Sequence, residues 1–482
     1  MDKVIGFAPD ADPTTPGALL ACENIIPADV GVVGAPTGIT PASTPALAAA
    51  CVGAAVAVKL DDSRRVFAGT TTKLYELSGG AWTDVSAGSY TGGSDTRWSF
   101  CQFGDASIAA NLSDTIQRSA SGAFAAIATA PKAKIVFTVG GFVMALNTVD
   151  GTYGTSPDRW WCSALYNETS WTPSVTTQAN TGRLVSTQGR LTAGGRLGDY
   201  AVAYKEKAIY LGQYTGTGVV WDWQQVTGGD AGCIGQDAWC DIGGAHFIVG
   251  KDNFWLFDGS RPSPLGVGMV RNWFFSNSNP ATRYRTQCIF DRKTNRVWIF
   301  YPSTSATSPD HALVYHVGTK QWGTAAIPCE AVLNYISAGM TIHDLATISA
   351  TIDGLPNYPF DSPYWVAGGQ SLGLFNTSHQ LQLLTGAAGT SAAQAWYVGD
   401  DDIYTLMDKV RCRFSRKPTV ATIETYHSAE LGETETAGSA ATMADGKFDV
   451  LDSGRWHRCD FTFTGDHTLT GIGMNLIQEG DV

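Results

Sequence analysis

One stretch, Ala46 to Ser86, limits the possible folds more than any other, because it holds a complete four-stranded antiparallel unit. Small, uncharged, valine-containing sequence fills Ala48 to Val58, Asp61-Asp62 makes a turn, and Arg65 to Gly69 is a short strand. Thr72 to Leu77 then alternates Leu74 and Glu76 with Tyr75 and Leu77, Gly79-Gly80 supplies a two-residue turn that needs positive φ, and Trp82 to Val85 closes the sheet. Four short strands cannot bury both faces of their own sheet. Copies must stand beside them, which is the logic of a β-propeller.

Variants of this unit recur. Arg97 to Ala128 turns at Ser121-Gly122 and places Phe124 where Trp82 stood; later units close on Trp171, on Trp221 and Trp223, and on Trp322. The aromatics at 82, 124, 171 and 223 are 42, 47 and 52 residues apart, a drifting period in the range of propeller blades. Trp82, Trp171, Trp223 and Trp322 are therefore expected at equivalent closing-strand positions. Further turns are expected at Lys251-Asp252, at Lys293 to Asn295 and at Gly318 to Lys320. Glu330 to Leu384 is less regular, although the run from Pro363 to Gly386 reads as inner strands of a last blade. The expectation is six or seven blades over 46–390, with few helices.

Residues 1–45 hold seven prolines and little periodicity, and read as an extended arm that is ordered only by lying on other surfaces. After Gly389 the strands lengthen, as in KPTVATIETYH and RWHRCDFTFTG, so 391–482 is expected to be a separate antiparallel β domain. The whole is all-β. Charge is uneven: residues 393–482 carry 8 Lys plus Arg against 15 Asp plus Glu, a net of −7 out of the chain's −12. So acidic a chain does not grip nucleic-acid phosphates, which takes clustered Lys and Arg. Its opening, MDKVIGFAPDADPTTPG, puts Asp and Pro where a secretory leader has its apolar core, and no apolar stretch is long enough to span a membrane. Ten scattered cysteines without a CxxC are expected to be reduced.

Several stretches together resemble the tail nozzle, or tail tubular, proteins of short-tailed bacteriophages (podoviruses). They are APDADPTTPGALLACENIIPADVGVVGAP, RWSFCQFGDASIAANLSDTIQRS, IFDRKTNRVWIFYP and the closing GKFDVLDSGRWHRCDFTFTGDHTLTGIGMNLIQEG. The resemblance implies a virion structural protein, a propeller joined to a tube-forming platform, assembled in the host cytoplasm as a homo-hexamer in the viral tail. It also implies as partners the adaptor protein of the head-to-tail connector, tail fibres or tailspikes, and viral double-stranded DNA ejected through the channel without specific binding.

Motifs of catalysis are sparse. Gly369 to Gly373 fits GxSxG, but a nucleophile elbow needs a helix after its serine and the following residues alternate like a strand, so a hairpin turn is expected at Ser371. Asp400-Asp401-Asp402 lacks the spaced ligands of a calcium loop, and none of the eight histidines has zinc-helix spacing. No enzyme activity, cofactor or metal is therefore expected. Arg159, Trp160 and Trp161 offer a sugar-stacking platform, which keeps open a carbohydrate-binding or glycoside-hydrolysing propeller. Within the acidic C-terminal region, Glu430, Glu433, Glu435 and Asp445 are expected to line the exit channel, where like charge keeps a duplex from sticking. The competing expectation is that Glu430 to Asp445 is a solvated loop.

Overall fold

A computed structural model describes the chain except for residues 42, 43, 217, 337–348, 350, 352, 353, 355–368 and 482. Pro363 to Gly368 of the expected last-blade stretch lies outside the described residues. The fold is all-β, a propeller with an added C-terminal antiparallel domain. Among the described residues six four-stranded antiparallel sheets stand by themselves, and a seventh four-strand meander forms one end of a ten-stranded sheet. Among the described residues the elements beyond strands are one α-helix, Arg271–Asn277, and one short 3-10 turn, Arg283–Arg285.

Two compact units divide the chain, each assembled from separate stretches. Unit 2, residues 39–230 and 329–384, contains the motif from which the repeat was read. Its strands are Ala54–Val58, Arg64–Gly69, Leu74–Ser78 and Ala81–Asp84, and Gly79 and Gly80 turn at φ 58° and 80° between Ser78 and Ala81. Three sheets follow in chain order, beginning at Ser99–Phe103, Lys132–Val139 and Ala193–Leu197. A further sheet is built from Ala331–Ile336, Gln370–Phe375 and Leu381–Ala388, with Pro36–Ile39 as its fourth strand. Successive sheets share small apolar cores, one of which packs Val66 and Ala68 of the first sheet against Leu333 and Phe375. Ile108 and Ala110 meet Val143 and Trp161 in another.

Trp82, Trp223 and Trp322 do lie in fourth strands, Ala81–Asp84, Trp221–Gln225 and Trp322–Ala325. Trp171 does not. The fourth strand of its sheet is Asn180–Arg183, and Trp171 sits in the preceding loop, fully buried, its indole N–H donating to the Glu168 carbonyl at 2.8 Å. A large ring can be buried from a loop as well as from a strand, so spacing alone misplaces it.

Unit 1 gathers residues 1–38, 231–328 and 385–482. The proline-rich arm is built into it as short strands. Ile25–Pro27 and Val32–Gly34 form the seam of the ten-stranded sheet: on one side stands the meander from Gln287–Asp291 to Trp322–Ala325, and on the other the strands Thr468–Asp481, Ile403–Arg416 and Lys447–Gly454. Asp10 of the arm accepts the backbone N–H groups of Asn272 and Trp273 at 2.5 and 2.9 Å, capping a helix whose own N-cap residue, Val270, offers no side-chain bond. A second sheet, with Ala18–Glu23, Thr390–Ala395, Trp456–Thr464, Val420–Ser428 and Thr436–Thr442, faces the terminal strands. Met407, Val410 and Phe448 from one sheet meet Ile423, Phe461 and Phe463 from the other in a shared core. The C-terminal domain is a β-sandwich.

Candidate functional site

Alternation fixes what the sandwich shows to solvent. Along Ile403–Arg416, Met407, Val410 and Cys412 are buried, which turns Arg411 and Arg413 outward. On the neighbouring Lys447–Gly454, Phe448, Val450 and Asp452 are buried while Lys447, Asp449 and Leu451 face out. Arg411 stands directly opposite Lys447, a like-charge cross-strand pair, and Leu406 stands opposite Ile477. Lys447 is offset by Asp449 at 2.7 Å and Lys409 by Asp408 at 3.5 Å. Arg411 and Arg413 have no carboxylate partner among the described residues. Leu451 and Ile477, 69% and 47% exposed, leave apolar surface on the two flanking strands, each four residues along from the residue opposite Arg411.

The acidic segment is part loop and part strand. Residues 429–435 are a loop, Thr436–Thr442 is an edge strand paired with Val420–Ser428, and Asp445 occupies an exposed turn at φ 50°. The four carboxylates expected to act together are not equivalent. Glu435 is held by Arg458 through bonds of 2.6 and 2.5 Å and accepts the Tyr397 hydroxyl at 2.5 Å. Arg458 keeps the Glu435 carboxyl below its ordinary pKa, while burial and then Glu435 itself push Tyr397 up to about 12. A carboxylate so engaged adds little free charge to a surface. Glu430 and Glu433 are exposed, without ion-pair partners among the described residues, and flank Leu431, itself 39% exposed. Beyond Lys447, bases from other strands reach these carboxylates: Arg458 serves Glu435, and His427 lies 2.6 Å from the buried carboxylate of Asp452.

Ser371 lies inside the strand Gln370–Phe375, opposite Tyr335, so GQSLG is neither the expected hairpin turn nor a strand-to-helix elbow. Arg159, Trp160 and Trp161 form no common platform, because successive strand residues point to opposite faces. Trp161 enters the core that holds Trp171, and the Arg159 guanidinium covers the Tyr153 ring at 3.7 Å. Trp160 instead packs 5.9 Å from Trp223 and lines a groove of about 380 Å³ with Arg183 and Tyr210. Asp400 to Asp402 make a turn in which Asp401 accepts the Trp456 indole N–H at 2.8 Å. All ten cysteines are free thiols, and burial raises Cys22, Cys51, Cys101, Cys162 and Cys233 to about 12. Neutral thiols are poor nucleophiles and poor ligands.

The sheets thus define a β-propeller protein carrying a β-sandwich. No family model and no curated protein matches the sequence. Similar solved structures include YCF48 bound to D1 peptide, 13% identical, with 62% of this chain and 86% of that one covered at a TM-score of 0.36. PorZ, a bacterial surface component of the type-IX secretion system of Porphyromonas gingivalis, is 10% identical, with 77% and 44% covered at a TM-score of 0.36. YCF48 from Cyanidioschyzon merolae is 10% identical, with 55% and 95% covered at a TM-score of 0.28.

Proposed function

We propose that this chain is a virion structural protein, the nozzle of a short-tailed bacteriophage, working as a hexameric ring around the path of ejected DNA. The observation that carries the reading is the ten-stranded sheet, in which arm, blade meander and terminal sandwich are hydrogen-bonded into one element. That is the propeller-plus-platform plan implied by the sequence resemblance, and a continuous sheet transmits load between its parts without a hinge. The acidic balance of −12 supports passage of DNA without adhesion. In this reading the sandwich forms the ring, Asp445 with other exposed carboxylates borders the channel, and the propeller meets fibres or spikes. Negative-stain images of the purified full chain, alone and with its adaptor ring, should show six-fold rings. Monomers under both conditions would remove the reading.

A further inference from the structure

The outward face of the terminal sandwich carries two unmatched features, and the same sandwich carries their complements elsewhere. Lys409, Arg411 and Arg413 follow one another along the outer side of a single strand, with Lys447 across from Arg411. Asp408 and Asp449 answer the two lysines, leaving the arginines uncompensated in a chain of net charge −12. Like charges set opposite each other on adjacent strands destabilise a sheet unless something answers them. On the two strands that flank it, Leu451 and Ile477 stand open to water on the same face at 69% and 47% exposure. Arginine beside exposed aliphatic surface is the composition of an interface core rather than of an ordinary solvated face.

The complement is the loop Glu430-Leu431-Gly432-Glu433. It presents two unpaired carboxylates on either side of an exposed leucine, and Gly432 at φ 92° gives the turn that brings them to one tip. The loop joins two strands of one sheet, whereas the cationic face belongs to the other sheet, with the sandwich core between their inner sides. No ion pair joins loop and face within one chain among the described residues. They are satisfied together when the loop of one copy meets the face of the next.

We propose that this is the seam between neighbouring copies: Glu430 and Glu433 of one chain pair with Arg411 and Arg413 of the next, and Leu431 seats against Leu451 and Ile477. The contact is heterologous, one patch against a different patch, and such contacts close into rings when the rotation between copies permits. The inference rests on the ring reading and assigns its interface. It also gives Glu430 and Glu433 a use other than lining a channel.

Charge reversal and its rescue test it on the full-length chain, with mass read by light scattering at low salt and folding by thermal unfolding. Arg411→Glu with Arg413→Glu, and separately Glu430→Arg with Glu433→Arg, should each shift assembly to at least about tenfold higher protein concentration with unfolding temperature unchanged. The four substitutions combined should restore it. Variants that assemble like the parent overturn the seam and leave the ring standing. Loss in both pairs without rescue in the combination overturns the pairing of this loop with this face. Wild-type protein that stays monomeric, alone and on its adaptor, overturns ring and seam together.

Discussion

Lys205 is 1% exposed, and its ammonium donates to the carbonyls of Leu184 and Thr187 at 2.7 and 2.6 Å while lying 5.7 Å from the Tyr210 ring centre. Burial lowers its pKa, so the loop has been given a charged clamp at a desolvation cost. Lys205→Met keeps the packing but strands two carbonyls, and should destabilise the surrounding blades by about 3 kcal/mol. Amide exchange in residues 184–187 should rise; a change below about 1 kcal/mol would show that water replaces the clamp. His467 gives a pH prediction. It is buried beside the Phe463 ring, and burial lowers its pKa from 6.5, with the Gly465 carbonyl and Asp466 pulling the other way. A depressed histidine is favoured neutral in the fold, so its stabilisation is present above about 6.5 and is lost as pH falls from there through the folded value. Chemical unfolding of the parent should become easier between about pH 7 and pH 5, and His467→Gln should flatten that slope. An equal slope in both would assign the effect to other groups. Neither residue was legible in the sequence, because a lone Lys or His carries no pattern that records which loop will fold over it. Glu435 looked the same as Glu433 until strand pairing brought Arg458, 23 residues on, beside it.

At the scale of elements, the sequence announced what local rules govern and hid what pairing decides. Gly79-Gly80 fixed a hairpin, and Asn295 and Lys320 occupy positive φ at 54° and 59° in two of the three further turns expected. Trp171 and Ser371 were misplaced because spacing and short motifs do not record which strand a residue will meet. The arm is the larger case. Its strands are two to six residues long, below the length at which periodicity can be read, and apart from Gly6–Phe7, which pairs with Ala18–Glu23 inside the arm, they are fixed by pairing with sequence about three hundred or more residues away. The seam is tight: a Cβ on Gly323 would stand 2.3 Å from the Ile25 carbonyl oxygen. Around it the Thr324 hydroxyl donates to the Cys22 carbonyl at 2.5 Å, and Arg296 donates to the Pro27 carbonyl at 2.6 Å. Gly323→Val should push Ile25–Pro27 out of the sheet at a cost of about 1–3 kcal/mol. Hydrogen exchange should speed up at Ile25–Pro27 and Val32–Gly34 while Leu74–Ser78 stays protected; protection unchanged at the arm would mean that its strands hold without the close approach.

For the whole molecule, what the sequence supplied was a plan, and what it could not supply was the use of its charges. A net of −7 after residue 392 suggested a repelling wall, yet net charge says nothing of which carboxylates are already matched. With Glu435 tied to Arg458, Asp452 buried beside His427, and Glu430 and Glu433 given to the seam, the exposed carboxylates outside any ion pair among the described residues include Asp445, the turn at Asp400 to Asp402, Glu424 and Glu479, and these are the ones the nozzle reading offers the duplex. Seam and wall respond to salt in opposite senses. Screening weakens attraction across the seam, so assembly should fall off as ionic strength rises from about 0.05 to 0.5 M, more steeply for the parent than for a form with Arg411 and Arg413 both changed to Met. Screening also weakens repulsion from the channel, so reversal of Asp445 and Asp401 to lysine should slow DNA ejection most where salt is lowest, with the ring intact. Reversal of Glu430 and Glu433 separates the two roles directly: rings that persist but eject slowly place these residues on the wall, whereas rings that fail to form place them at the seam. The seam predicts the second result, because two unpaired arginines in an acidic chain have no better complement than the acidic loop of their neighbour.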